Sequence, residues 1–164
     1  MSESESVVKK LTSTLPQLGR VEWIGLAAKR RAPITAVESV EVLTGKGLVG
    51  DHHGKSGRSK RQVTIIALEH LEAIGRFLGL PPIKPERLRR NIVVSGINPI
   101  ALKGQTFQIG DVLLEGTKAC DPCSRMEDEL GPGGYNAMRG HGGVCAIVLE
   151  GGKIAVGDVI RKID

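Results

Sequence analysis

Thr106 to Lys118 reads T-F-Q-I-G-D-V-L-L-E-G-T-K, and Val144 to Ile163 reads V-C-A-I-V-L-E-G-G-K-I-A-V-G-D-V-I-R-K-I. In both stretches short apolar runs, rich in β-branched residues, are broken by Gly-Asp or Gly-Gly pairs. Such pairs reach the positive φ angles that a two-residue hairpin turn demands. The first stretch predicts two short strands around Gly110-Asp111. The second predicts a hairpin of Val144–Leu149 with Lys153–Ile163 across Gly151-Gly152. Gln108 to Val112 echoes Ala155 to Val159, and we read the echo as two similar bends in one sheet.

Upstream, further short strands fit Arg20–Ala28, Ala36–Leu43 and Asn91–Val94. Val63–Leu68 is apolar throughout, which suits a strand buried on both faces. One helix is signalled, by Leu71, Ile74 and Leu78 at three- and four-residue spacing, with Gly79 near its end. Pro81, Pro82 and Pro85 break the chain next, and Pro85 suits the opening of a single helical turn through Arg89. Gly45–Gln62 reads as a polar loop. Many short strands with few helices predict a mainly β protein, a closed or nearly closed β-barrel with a few short helices. Residues 1–19 read as a flexible arm and residues 20–164 as one domain.

Composition narrows the function. The chain has 164 residues, 40% of them hydrophobic and 25% charged, which suits one globular domain. Only Trp23, Phe77, Phe107 and Tyr135 are aromatic. Four scattered rings make no stacking platform, so specific nucleic-acid binding is not expected. The net charge of +5 suits an anionic small ligand. No stretch approaches the ~20 apolar residues of a membrane span. Three cysteines, an odd number with no secretion signal, argue against a disulfide framework and place the protein in reducing cytoplasm.

Five segments are candidates for chemistry. Gly45 to Gly50 matches G-x-G-x-x-G, but Asp51-His52-His53-Gly54 makes a poor helix start, so a dinucleotide site is rejected. Asp51, His52 and His53 read as a solvated loop or as the wall of some other pocket. Zinc shared with the cysteines is the lesser reading, because no second paired-ligand spacing appears. Cys120-Asp121-Pro122-Cys123 follows a strand, and Pro122 fixes the turn that presents Cys123. A nearby Arg125 would favour the thiolate, the form that attacks or binds a soft metal; two inert core cysteines are the plain alternative. Arg87-Leu88-Arg89-Arg90-Asn91 suits a phosphate or a solvated patch. The glycine-rich segment Gly131–Gly143 suits close backbone approach to a ligand, or a mobile lid.

Taken in order, GLVGDHHG, RQVTII, RRNIVVSGI, FQIGDVLLEG, CDPC and KIAVGDVI resemble MOSC domains over about residues 20 to 163. That name denotes the C-terminal domain of molybdenum cofactor sulfurases and its free-standing relatives. The resemblance implies a barrel-like β fold and a pocket for the molybdenum cofactor, molybdopterin. It implies that Cys123 is the catalytic residue and the molybdenum ligand, or a carrier of sulfur. It further implies cofactor contacts from Arg89 and Asn91, as an R-x-N pattern facing the pterin phosphate, and from Asp121. No pyridoxal-phosphate domain is present, so this chain does not itself extract sulfur from cysteine.

Three functions follow. The first is a small molybdoenzyme that removes oxygen from N-hydroxylated compounds, with a small-molecule substrate and an external electron donor. The second is a non-catalytic module that carries sulfur as a Cys123 persulfide from a donor protein, or delivers cofactor. The third is a basic nucleic-acid binder with structural zinc, which the aromatic count disfavours.

Overall fold

The computed structural model describes every residue except Met1, Ser2, Lys55, Ser56 and Arg58, so the expected loop Gly45–Gln62 lies partly outside the described residues. Eleven strands run in chain order. They are β1 (Gly19–Leu26), β2 (Thr35–Val37), β3 (Ser39–Leu43), β4 (Gly47–Leu48), β5 (Val63–Ala67) and β6 (Ile92–Ser95), then β7 (Thr106–Ile109), β8 (Val112–Ala119), β9 (Val144–Glu150), β10 (Gly152–Ala155) and β11 (Val159–Lys162). The helices are short: α1 (Glu3–Ser13), α2 (Leu68–Phe77), α3 (Pro85–Leu88), α4 (Ser124–Leu130) and α5 (Gly134–Met138).

Seven strands form a closed ring in the order β11-β7-β8-β9-β5-β6-β1, and β1 returns to β11 through Gly19 opposite Ile160. Closure leaves the ring without a free edge, as the count of short strands predicts. Strand β2 extends β1 outside the ring, and β10, β3 and β4 make a small second sheet. Strands β5 and β6 pair in parallel, which requires a crossover; α2 and α3 supply it.

Side-chain alternation sorts the core into two clusters. Val63 and Ile65 of β5 and Ile92 and Val94 of β6 point into the barrel with Phe107, Ile109 and Leu114. Ile66 and Val93 point outward under Leu71, Ile74, Leu88, Met126 and Met138 from the helices. That is why β5 is apolar at nearly every position: both of its faces are buried.

Several expectations needed correction. Thr106–Lys118 is the hairpin it promised, with Ile109 opposite Val112. Gly151-Gly152 does not make one. Strand β9 pairs with β5 and β8, whereas β10 leaves to pair with β3. The Gly151 N–H donates to Thr44 Oγ1 (2.8 Å), and a Cβ there would collide with the Val42 carbonyl, so this glycine lets the chain press against β3. Lys153–Ile163 therefore splits between two sheets, as does Ala36–Leu43. The arm is helical over Glu3–Ser13. Gly131–Gly143 is neither lid nor ligand cradle: it holds α5, whose Ala137 and Met138 are buried. A Cβ at Gly142 would collide with the Cys120 carbonyl, and one at Gly143 with that of Ile65, so these glycines serve packing.

Candidate functional site: an arginine-lined cleft around Cys123

Strand β8 ends at Ala119, and the Cys120 N–H donates to the Gly143 carbonyl (2.8 Å), pinning the start of the C-D-P-C turn. Pro122 is buried, and Cys123 stands in extended backbone at the start of α4, with its carbonyl accepting from the Met126 N–H (2.9 Å). Met126 and Leu130, four residues apart, bury one face of α4 and so fix that turn. The three thiols part company here: Cys123 is exposed, while Cys120 and Cys145 are buried. Cys120 and Cys145 are coupled: interaction with the Cys145 thiol lowers the Cys120 pKa against the opposing effect of burial, and nearby Arg90 and Arg61 charges act in the same direction. The same coupling, with burial, raises the Cys145 pKa. With Cys120 turned inward, the two thiolates of a C-x-x-C zinc site are not assembled.

Arg90 braces the turn from behind. Its guanidinium is buried and donates to the carbonyls of Leu88 (2.9 Å), Cys120 (3.0 Å) and Gly142 (3.0 Å). Arg89 turns the other way, with one N–H on the Ala32 carbonyl (2.7 Å). Partial burial and the nearby Arg125 lower its pKa, and Asp51 opposes them. Arg89 and Arg31 are the only non-glycine residues with positive φ among the described residues, at 59° and 66°. Both line the cleft, where backbone strain is worth its cost if it aims a side chain at a ligand.

Asn91 is mostly committed elsewhere. Its Oδ1 accepts from the Thr64 N–H (3.1 Å) and hydroxyl (3.2 Å), and its Nδ2 donates to Gly25 O (3.1 Å). The side chain clasps β1, β5 and β6 together and can offer a ligand one remaining N–H at most.

The histidines form the opposite wall. Asp51 is buried; its Oδ1 accepts from the Ala27 N–H (2.9 Å), and its Oδ2 faces both the N–H and the Nδ1 of His53 (3.2 Å each). Burial alone would raise its pKa, but the bonds from His53 and Ala27 outweigh that and hold it below the usual carboxylate range. His52 Nδ1 faces the Ala27 carbonyl (3.1 Å), and the two rings lie tilted at 38° with centroids 3.9 Å apart. With both Nδ1 atoms engaged, both rings keep Nε2 for the cleft.

Together these walls enclose a cleft of about 390 Å³ lined by Cys123, Asp51, His52, His53, Asn91 and Arg89, and also by Arg30, Arg31, Arg61, Arg90 and Arg125. Of the residues singled out from sequence, Cys123, Arg89 and Asn91 meet here. Asp121 is exposed and is not among the lining residues. Arg30 and Arg31 escaped the sequence reading, and Arg61, which opens the RQVTII segment, was given no role there, because no local pattern marks a lining that only folding assembles. Asp51, His52 and His53 line this cleft, as the pocket-wall reading expects, and they also bring one potential metal-ligand atom each within 4.8 Å of one another.

The protein is thus a small closed barrel whose one exposed thiol, among its three cysteines, stands in a cleft lined by six arginines. The MOSC domain pattern matches residues 49–161, and the chain belongs to the MOSC domain family. Among solved structures the fold is similar to the YuaD protein from Bacillus subtilis, with TM-score 0.77 and 22% identity over 90% of this chain and 97% of that one. It is also similar to YiiM from Escherichia coli, with TM-score 0.68 and 18% identity over 88% of this chain and 70% of that one. YiiM from Geobacillus stearothermophilus gives TM-score 0.70 and 19% identity over 89% and 75%. No curated protein matches the sequence.

Proposed function

We propose that this chain binds the molybdenum cofactor in the Cys123 cleft and acts as a small reductase of N-hydroxylated compounds. The observation that carries the reading is that the one exposed thiol stands in a cleft lined by six arginines. The donor set fits the group: a thiolate for a soft metal, and guanidiniums such as that of Arg89 for a pterin phosphate. Cys123 would hold the metal and Arg89 the phosphate, with a smaller share for Asn91. When bound, the cofactor would supply the two-electron oxygen-removing chemistry.

The chain's own residues do the rest. Arg90 and α4 fix the thiol, and the arginines orient an anion. Removing a hydroxyl oxygen as water consumes two electrons and two protons. The electrons come from an external donor protein; an imidazolium at His53, its Nδ1–H held by Asp51, would pass one proton from Nε2 to the departing oxygen, and solvent supplies the other. All three cysteines are free thiols, which suits a reducing compartment such as the cytoplasm. The test is anaerobic loading of the protein with molybdopterin-bound molybdenum, then addition of an N-hydroxylated amidine and a reduced dye. Dye oxidation matched by amidine formation supports the reading. Sulfane sulfur on Cys123 with no metal uptake favours the sulfur-carrier role instead.

A further inference from the structure

The cationic cleft holds more positive charge than one cofactor phosphate uses. Arg90 spends three of its five N–H groups on carbonyls, and Arg89 has one N–H on Ala32. Arg30, Arg31, Arg61 and Arg125 make no ion pair with a carboxylate among the described residues. The cleft's one carboxylate, Asp51, is already bonded to Ala27 and His53. A phosphate monoester brings about two negative charges, so a surplus of about two or more positive charges remains with it bound.

Arg61 marks where the surplus is unmet. It precedes β5 in a segment held rigidly: its own N–H donates to Ser59 Oγ (2.9 Å), and the next residue, buried Gln62, bonds Val148 N–H and Gly45 O through its side chain. Its Nε is nevertheless buried with no hydrogen-bond partner among the described residues. An unmet buried donor is costly, and a charged one more so, which points to an acceptor that arrives with a ligand. Arg61 enters the cleft from the start of β5, and Arg89 from the end of α3, where it is tied to the Ala32 carbonyl. The Arg61 charge favours ionisation of Cys120 and Cys145, whereas the charges felt by Arg89 are those of Arg125 and Asp51.

We propose that Arg61 anchors a second oxyanion subsite in this cleft, one that takes a phosphate or carboxylate carried by the substrate. The proposal rests on the reading of the cleft as a cofactor site, and it narrows the substrates to acidic N-hydroxylated compounds. Arg31 and Arg125, on the rim, complete the cationic field that draws such a molecule in.

Inorganic phosphate is the probe, titrated calorimetrically at fixed ionic strength into the full chain, with and without cofactor. The cofactor-free protein should bind two phosphates and the loaded protein one. Arg61→Gln should weaken the site that survives loading by about tenfold or more, as expected for a lost charge-assisted contact, while cofactor uptake stays intact. Arg61→Lys, which keeps the charge without the fork, should fall between. Matched thermal unfolding of the variants guards against a folding defect. A loaded protein that binds no phosphate, or an Arg61→Gln protein that binds it like the parent, overturns the proposal. Failure to take up any cofactor overturns the cofactor reading instead, while the cofactor-free titration still decides whether Arg61 holds a second anion.

Discussion

Arg90→Met removes the brace behind the cysteine turn while leaving a side chain of similar reach. Arg90 is 3% exposed, and its guanidinium is bonded at 2.9–3.0 Å to three carbonyls, those of Leu88, Cys120 and Gly142. A charge-assisted hydrogen bond contributes about 1.5–3 kcal/mol net, and the three bonds share one charge, so they do not add in full. Breaking such a buried network typically costs about 3–5 kcal/mol. We expect a loss in that range from urea unfolding at neutral pH, with an unchanged m-value. Arg90→Lys should recover only part of it, because a single ammonium does not reproduce a planar fork. Cofactor uptake should fall with Arg90→Met even at temperatures where the variant is folded, since Cys120 and Gly142 lose their common anchor. A loss below about 1 kcal/mol would refute the reasoning.

Other expectations follow from the same geometry. In the native protein one thiol, Cys123, should react quickly with an aromatic disulfide reagent, and Cys120 and Cys145 only on unfolding, as counted by absorbance. Asp51→Asn should destabilise the protein at neutral pH. Because the Asp51 pKa is depressed in the folded state, that contribution exists above the unfolded carboxylate pKa and is lost as pH falls through the folded one. The stability gap between variant and parent should therefore close in acid, and a gap unchanged down to pH 3 would contradict the assignment. Gly143→Ala, at φ 91° and against the Ile65 carbonyl, should be among the most damaging single substitutions, seen as loss of soluble folded protein. DNA retention should vanish near physiological salt with no sequence preference, as a salt titration would show.

The barrel was legible wherever burial imposes a short-range pattern. The apolar run of β5 and the Gly110-Asp111 hairpin follow from which faces are covered and which turn glycine permits. Pairing between distant segments was not legible. Gly151-Gly152 carries hairpin chemistry, yet the chain uses it to cross to β3, because contacts with Val42 and Thr44 decide the path. Helix α4 left a signal that was passed over, Met126 and Leu130 at four-residue spacing, while α5 hides among glycines. For the site, the C-D-P-C turn and the R-x-N segment pointed to Cys123, Arg89 and Asn91. The sequence could not show that Asn91 is spent clasping three strands, or that Arg61 comes to line the cleft of Cys123 from 62 positions away.

The central claim is that the Cys123 cleft holds a molybdenum–pterin group. Elemental analysis of protein freshly isolated from molybdate-supplied cells, together with fluorescence of the oxidised pterin, tests it most directly. We expect molybdenum and pterin in equal amounts on the parent protein and neither on Cys123→Ser, while Cys145→Ser keeps both. Molybdenum retained in full by Cys123→Ser, or zinc in place of molybdenum and pterin on the parent, would contradict the claim.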